Sequence, residues 1–380
     1  MRVVIVAEYY PRAHDPVLGI WAHRQALATA RAGADVRVVV LHRPVPSRAA
    51  LKARDRRTLT APLRQPLRTT LDGIPVTYVP FLAPPRPRTY GSWGRWAAPP
   101  LRLALRRMRP FDLVHAHYAA PGGDAVRRAA PGTPAVVSVH GGDLLAVAHG
   151  SAAGARAVHG GLGHAALVLA NSAGMARRAQ HLGARRTRVV HLGSDLPAAV
   201  PAVPGRLVTV GHLIARKRHA DVLHALARLD HRGVEWVVVG DGPERGRLEQ
   251  LAAELGVTVR FTGALPHERA LEEARRAAVF VLPSVDEAFG VAYVEAMAGG
   301  VPAVGCRGED GPEEIAASGG GIRLVPPREP EALARELEAL LGDDERRRAL
   351  GAAARENVAN GFTWEACGRA TVEAYEAALA

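Results

Sequence analysis

The sequence predicts an α/β protein of two doubly wound, Rossmann-like halves, and three observations carry that expectation. Val-rich, strand-like runs alternate with helix-like segments along both halves, the pattern of parallel strands covered by helices on both faces. Leu192 to Gly205, with prolines at 197, 201 and 204, interrupts the alternation once and reads as a linker. The 380 residues suffice for two domains of ordinary size, and 48% hydrophobic against 23% charged residues suits packed cores.

Taken in order, the first half reads as segments at Val3 to Ala7, Ile20 to Gly33, Asp35 to Leu41, Val76 to Val79, Trp93 to Arg107 and Leu113 to Ala116. It continues at Pro134 to Val139, Ala152 to Gly163, Ala166 to Ala170, Ala173 to Leu182 and Thr187 to His191. Arg43 to Leu71 shows no clean periodicity and is expected to be mobile. The second half repeats the scheme at Leu207 to Val210, Ala220 to Leu229, Glu235 to Val239, Glu244 to Leu255, Thr258 to Thr262 and Arg269 to Ala277. A strand at Ala278 to Leu282 and a helix at Gly290 to Ala298 follow. Apolar spacing at Ala366, Ala370, Val372 and Tyr375 makes the tail a helix. The expected division is a first domain over 1–197, a second over 198–362, and a C-terminal helix over 363–380. In doubly wound sheets ligands gather at the carboxyl ends of the strands, across a cleft where two such domains face one another.

Glu287 and Glu295 are the most informative residues. Pro283-Ser284 breaks the strand before them and Gly299-Gly300 caps the helix after them, so Glu287 falls in the loop and Glu295 one turn into the helix, four residues after Val291. The amides of Phe289, Gly290 and Val291 at the helix start make an anion site. A carboxylate on either side of that site does not hold the anion. It accepts hydrogen bonds from hydroxyls on what flanks a diphosphate, and a nucleotide sugar carries hydroxyls on both sides, a ribose and a hexose.

Other residues fit the same chemistry. Lys217, placed at the opening of a helix after the strand ending at Gly211, is a point charge for phosphate, with Arg216 beside it. His140 follows a strand and precedes Gly141-Gly142-Asp143; the glycines permit close approach to the backbone, and Asp143 either caps the next segment or holds an imidazole tautomer. Gly240-Asp241-Gly242-Pro243 fails as a dinucleotide fingerprint, since Arg245 stands where the third glycine belongs; it reads as a strand-to-helix turn lining the nucleotide pocket. No Ser-His-Asp elbow, Walker loop or Asp-x-Asp pair for Mg²⁺ occurs, and His115 and His117 lack acidic or Cys partners at metal-ligand spacing.

With Tyr10-Pro11 through Gly19, His140-Gly-Gly-Asp143, Val210-Gly-His-Leu213 with Lys217, Val239-Gly-Asp-Gly-Pro243, Phe261-Thr-Gly263 and Phe362-Thr-Trp364, the paired glutamates resemble those of the retaining GT-B glycosyltransferases of family four. The likeness spans nearly the whole chain, and the order and spacing of the segments make it specific. It implies a metal-independent, retaining transfer of a sugar from a nucleoside-diphosphate sugar, a UDP- or GDP-sugar, with no further cofactor. It also implies His140 against the transferred sugar, Glu287 as a positioning group and not a covalent nucleophile, the loop at Gly19 touching donor phosphate or acceptor, and a C-terminal helix crossing back onto the first domain. The family usually carries arginine where His212 stands and a second glycine where Ile20 stands, so part of the diphosphate's neutralisation shifts from His212 to Arg216. A GT-B nucleotide-sugar epimerase and a non-enzymatic sugar-nucleotide-binding subunit are the alternatives.

Charge bears on the acceptor. Residues 1–197 hold 28 Lys+Arg and 9 Asp+Glu, 28 − 9 = +19, whereas 198–380 hold 21 and 28, 21 − 28 = −7, which sum to the net +12. The excess sits in Arg43 to Arg68 and Arg86 to Arg109, where Tyr90, Trp93 and Trp96 interleave with Arg88, Arg95 and Arg102. Such a segment suits an anionic or lipid-linked acceptor and peripheral contact with an anionic membrane, or else is a solvated arginine face. Nucleic acid is not expected, because no groove-reading or base-stacking motif accompanies the charge. Two cysteines make no disulfide framework, no apolar run reaches the ~18 residues of a membrane span, and no leader is evident, so the expected location is cytoplasmic, at most peripheral on the inner membrane face.

Overall fold

The run Arg2–Ala7 forms β1, and Val3 to Ala7 are buried on both its faces, as befits a strand inside a sheet covered on two sides. In the computed structural model, which describes residues 1–380 except 47–50, 52–55, 87–88 and 231–232, the chain divides into two units. One comprises Met1–His191 with Glu365–Ala380, the other Leu192–Trp364.

The first unit holds an eight-stranded sheet of β1, β2 (Asp35–His42), β3 (Arg68–Leu71), β4 (Ile74–Pro80), β5 (Leu113–His117), β6 (Ala135–Val139), β7 (Leu167–Ala170) and β8 (Thr187–Val189), in the order β3-β4-β2-β1-β5-β6-β7-β8. All pairings are parallel except β3 with β4. That antiparallel edge corrects the wholly parallel expectation. Asp72 and Gly73 turn the hairpin with φ of 47° and 85°, the left-handed pair a two-residue turn needs. The described part of Arg43 to Leu71 is likewise ordered further than expected: a helix at Arg56–Thr60 and a turn at Ala61–Arg64 lead into β3. The C-terminal helix Trp364–Leu379 packs in this unit through Glu365–Ala380. Gln25 donates to Thr371 at 3.2 Å, and a Cβ on Gly368 would stand 2.2 Å from the Ala28 carbonyl oxygen, so glycine is what lets the helix lie this close.

The second unit holds β9 (Arg206–Val210), β10 (Glu235–Val239), β11 (Val259–Gly263), β12 (Val279–Val281), β13 (Ala303–Cys306) and β14 (Ile322–Val325), all parallel, in the order β11-β10-β9-β12-β13-β14. Its core packs Leu207, Trp236, Val238, Val279 and Val281 against Val222, Leu223, Leu337 and Leu340 of the covering helices. In both sheets the chain runs outward from a central strand and then returns to that strand's other side, so the order reverses between β1 and β5 and between β9 and β12. Each reversal leaves a crevice at the carboxyl ends where the loops part, the place such sheets bind ligands.

Candidate active site

In the second unit the reversal brings together two loops that lie 70 residues apart in sequence. After β9 the chain makes a tight turn at Ala215–Lys217; Arg218 then takes φ 55°, and the next helix begins only at His219. Lys217 therefore ends a turn and does not open a helix, which corrects the sequence expectation; the left-handed Arg218 separates the two. After β12, Ser284 to Phe289 form the neighbouring loop, and the helix Val291–Ala298 begins behind Gly290, at φ 83°, with no side-chain cap. Lys217 forms a hydrogen-bonded ion pair with Glu287, whose same oxygen lies 3.8 Å from Arg216 and accepts a 2.8 Å bond from Ser284 Oγ.

Glu287 is buried, and burial is the largest influence on it, pushing its pKa up. The charges of Lys217 and Arg216 and the bonds from Lys217 and Ser284 together outweigh that, so its pKa lies below the ordinary carboxylate value and it is anionic. The Glu287 amide donates to Glu309 at 2.9 Å, and its carbonyl accepts from Gly311 at 3.1 Å. A Cβ on Gly311 would stand 2.2 Å from Phe289 Cα. Thus the helix Asp310–Ser318 presses directly on the loop. Phe289 turns its ring into the core, 5.8 Å from Phe362, so the ring does not face a ligand. Glu295 is 12% exposed one turn into the helix and faces His267 Nε2 at 3.5 Å, a partner the sequence pattern does not reveal.

His212 is exposed in the turn after β9. Beneath it, Leu213 donates to the Asp241 carbonyl at 3.0 Å, and a Cβ on Gly242 would stand 2.4 Å from the Leu213 carbonyl oxygen. Asp241 accepts from the Gly242 amide at 2.7 Å with its side chain and is exposed, so it shapes the turn that supports His212.

At the first unit's reversal point a neutral, aromatic cluster surrounds His140, next to a Glu8–Arg86 ion pair at the end of β1. Gly19, at φ 66°, starts the helix Ile20–Arg31, and a Cβ there would stand 2.2 Å from the Tyr9 carbonyl carbon. That close approach, open only to glycine, seats Trp21 with its ring centroid 4.1 Å from that of His140. His140 follows β6, stacks on His117 at 5.1 Å and 11°, and lies 5.1 Å from Tyr118. Asp143, fully buried, accepts from the amides of His140 (3.2 Å), Leu144 (3.2 Å) and Ala119 (2.9 Å). It fills neither expected role as stated: the segment Gly142–Val147 has no side-chain cap, and Asp143 instead gathers the backbone amides of its own and the preceding loop. The imidazole is held instead by His117, whose Nδ1 lies 2.9 Å from His140 Nε2.

Burial depresses the pKa of both rings, that of His140 well below the usual histidine value and that of His117 to about 3, so both are neutral near pH 7. His117 Nε2 is buried with no hydrogen-bond partner. Orphaned N–H groups are the rarer kind. The arrangement that avoids one has His117 Nδ1–H donating to His140 Nε2, which leaves the His140 proton on Nδ1. His115, the next inward residue on β5, is tied at 2.7 Å to both Ser138 and Tyr375. The two β5 histidines are thus structural supports of His140. Among the described residues no three His, Cys, Asp or Glu side chains gather as a metal site, and no helix is long and apolar enough to cross a membrane.

Two Rossmann-type sheets, the first with one antiparallel edge, and an uncapped helix start with a Lys–Glu pair at the reversal point of the second fit the GT-B class of sugar transferases. The chain belongs to glycosyltransferase family four: residues 18–197 match the model described as Glycosyltransferase Family 4 and 201–357 the model of Glycosyl transferases group 1. It is 30% identical over 361 residues to D-inositol 3-phosphate glycosyltransferase 1 of Catenulispora acidiphila, covering 84% of each chain. It is 26% identical to the putative teichuronic acid biosynthesis glycosyltransferase TuaC of Bacillus subtilis, covering 89% of this chain and 88% of that one. Anabaena Alr3699/HepE, solved with UDP and glucose, shares the fold at a TM-score of 0.74 and 20% identity over 99% of both chains. The protein is a glycosyltransferase, as expected from the sequence; the epimerase and non-enzymatic alternatives lose their support.

Proposed function

We propose that the enzyme transfers a sugar, with retention of anomeric configuration and without a metal ion, from a nucleoside-diphosphate sugar held mainly on the second unit. The observation that carries this reading is the convergence of Lys217 and Arg216 on Glu287 in front of the helix start at Gly290 and Val291. Two cations and helix-start amides supply the charge and donors a diphosphate needs as it leaves, the role a divalent ion plays elsewhere. His212 adds a hydrogen-bond donor. Glu295 accepts from the ribose hydroxyls. Glu287 is anionic yet already engaged by Lys217, which suits a group that orients sugar hydroxyls better than it suits a nucleophile.

On the first unit His140, neutral with Nδ1–H as its donor, serves the transferred sugar, with Trp21 and Tyr118 as flat walls and the Gly19 turn holding Trp21 in place. The acceptor hydroxyl gives its proton to the leaving phosphate. A UDP-sugar is the first donor to try, because the HepE structure carries UDP and glucose; a GDP-sugar is the second. The acceptor is anionic or lipid-linked, in keeping with the +19 first half and with relatives named for inositol phosphate and teichuronic acid. Product NMR after incubation with UDP- and GDP-sugars in excess EDTA tests the reading. A product with the donor's anomeric configuration is expected; an inverted product, or turnover that returns only with added Mg²⁺ or Mn²⁺, overturns it.

A further inference from the structure

We propose that the outer face of the helix Trp93–Met108, with the pocket beside it, is a docking surface for an anionic lipid membrane. This concerns a surface apart from the donor residues and does not depend on which acceptor the enzyme uses. The helix buries Trp93, Ala97, Ala98, Leu101 and Leu105. Its other side exposes Arg95, Trp96, Pro99, Arg102, Leu103, Arg106 and Arg107, with Trp96 at 47% and Leu103 at 50%. Positions three and four apart share a face, so arginine, tryptophan and leucine form one stripe.

The charge along it is of one sign. From Gly73 to Phe111 the sequence contains no Asp or Glu and seven Arg. Of the interleaved aromatics expected to meet lipid, Trp93 is instead core: its indole donates to Pro84 at 3.0 Å, and Arg43 and Arg86 stack on its ring. Arg88 lies outside the described residues. Trp96 is left as the interfacial ring.

Where this helix ends, Arg102, Arg106 and Arg109 line an open pocket of about 360 Å³ with Leu105, Phe111 and Pro131. It lies ahead of β5 and β6, at the amino ends of the strands and so at the opposite end of the sheet from His140. Arg102 is braced by donating to the Arg128 carbonyl at 2.7 Å, and Arg109 lies 6.0 Å from the Phe111 ring. No acidic side chain lines the pocket. Three guanidinium groups over apolar walls match a phosphate headgroup with acyl chain beneath it, and flanking Arg95 and Arg107 add attraction to the surface around it.

Sedimentation of the full chain with vesicles of phosphatidylcholine alone, or with about one-third phosphatidylglycerol, tests this, with nucleotide binding followed in parallel. Binding to the anionic vesicles and not the neutral ones is expected, falling as salt rises. Each arginine at such a surface is worth roughly fivefold in partitioning, so R102Q/R106Q/R109Q should lose on the order of 100-fold. The control R156Q/R177Q/R185Q, the same charge removed elsewhere on the unit, should lose far less. In the unmutated arginine background, brominated chains should quench tryptophan emission, and Trp96→Phe should abolish the quenching. Equal loss in the two triple variants, quenching that survives Trp96→Phe, or no preference for anionic vesicles overturns the proposal. Nucleotide affinity that stays unchanged throughout distinguishes failure of lipid docking from failure of the donor site.

Discussion

The two reversal points of this molecule solve different problems with different chemistry. In the second unit the crevice is ionic: Lys217, Arg216 and Glu287 meet beside a helix start, and burial of the carboxylate is offset by its cations. In the first unit the groups around His140 are neutral: His140 and His117 are held uncharged between Trp21 and Tyr118, with an N–H as the polar handle, and the nearby Glu8 is paired with Arg86. In the function proposed above, charge stands where a diphosphate would be held and released. Flat, neutral surface stands where the same reading orients a sugar, since an unpaired ion there would have to be desolvated with no counter-charge.

The comparison is broken first at its neutral end, where a large loss of transfer is expected. His140→Ala removes an oriented donor from the sugar but no charge from the diphosphate; transfer should fall by on the order of 100-fold, while nucleoside diphosphate affinity stays within about twofold. Kinetics set beside calorimetric titration would show it, and equal losses in both would merge the two roles.

At the ionic end, Glu287→Gln sharpens the contrast by opposite signs. Without the carboxylate Lys217 and Arg216 are no longer neutralised, so free nucleoside diphosphate should bind roughly fivefold more tightly, whereas transfer should drop about 100-fold through lost orientation of the sugar. Weaker nucleotide binding would show that Glu287 organises the cations more than it opposes them.

A third, smaller effect is titration. His117 in the first unit and His219 in the second are pushed down by burial, to about 3 and about 4. The unfolded chain binds protons to both below about pH 6.5, where the folded chain does not, so stability is full above that pH and is lost on acidification, by about 1.4 kcal/mol per pH unit for each residue. Glu287 acts in a separate window: its pKa is lowered, so its contribution persists until the pH falls below the ordinary carboxylate range. Urea unfolding between about pH 6.5 and 4.5 should show the slope, and His117→Phe should remove one residue's share; a slope unmoved by that change would deny that His117 is neutral in the fold.

How much of this was legible depended on whether the signal was local. The loop and helix of Glu287 and Glu295 could be placed because Pro283-Ser284 ends a strand and Gly299-Gly300 ends a helix close by in sequence. His140 stood out by following a strand and preceding two glycines. The partners of these residues were hidden, since Lys217 reaches Glu287 across 70 residues and His117 reaches His140 across 23, and only adjacency of β9 with β12 and of β5 with β6 brings them together. Asp143 reads in the sequence as a cap or an imidazole partner, whereas the three amides it actually accepts from, Ala119 among them, come from loops that the sequence does not bring together. The edge strand β3 did leave a mark, Asp72-Gly73 before the alternation of Ile74–Pro80, but the polar Arg68–Leu71 is too short to show a period. The left-handed Arg218 left none, because nothing in an arginine announces a positive φ.

Titration of UDP and GDP into Lys217→Ala tests the central claim most directly, that the second unit grips the diphosphate with this lysine in front of the helix start. A charge-assisted contact of this kind is worth roughly 1.5–3 kcal/mol, so affinity for the preferred nucleotide should fall by about 10- to 100-fold. Unchanged affinity in a variant that remains folded would contradict the account.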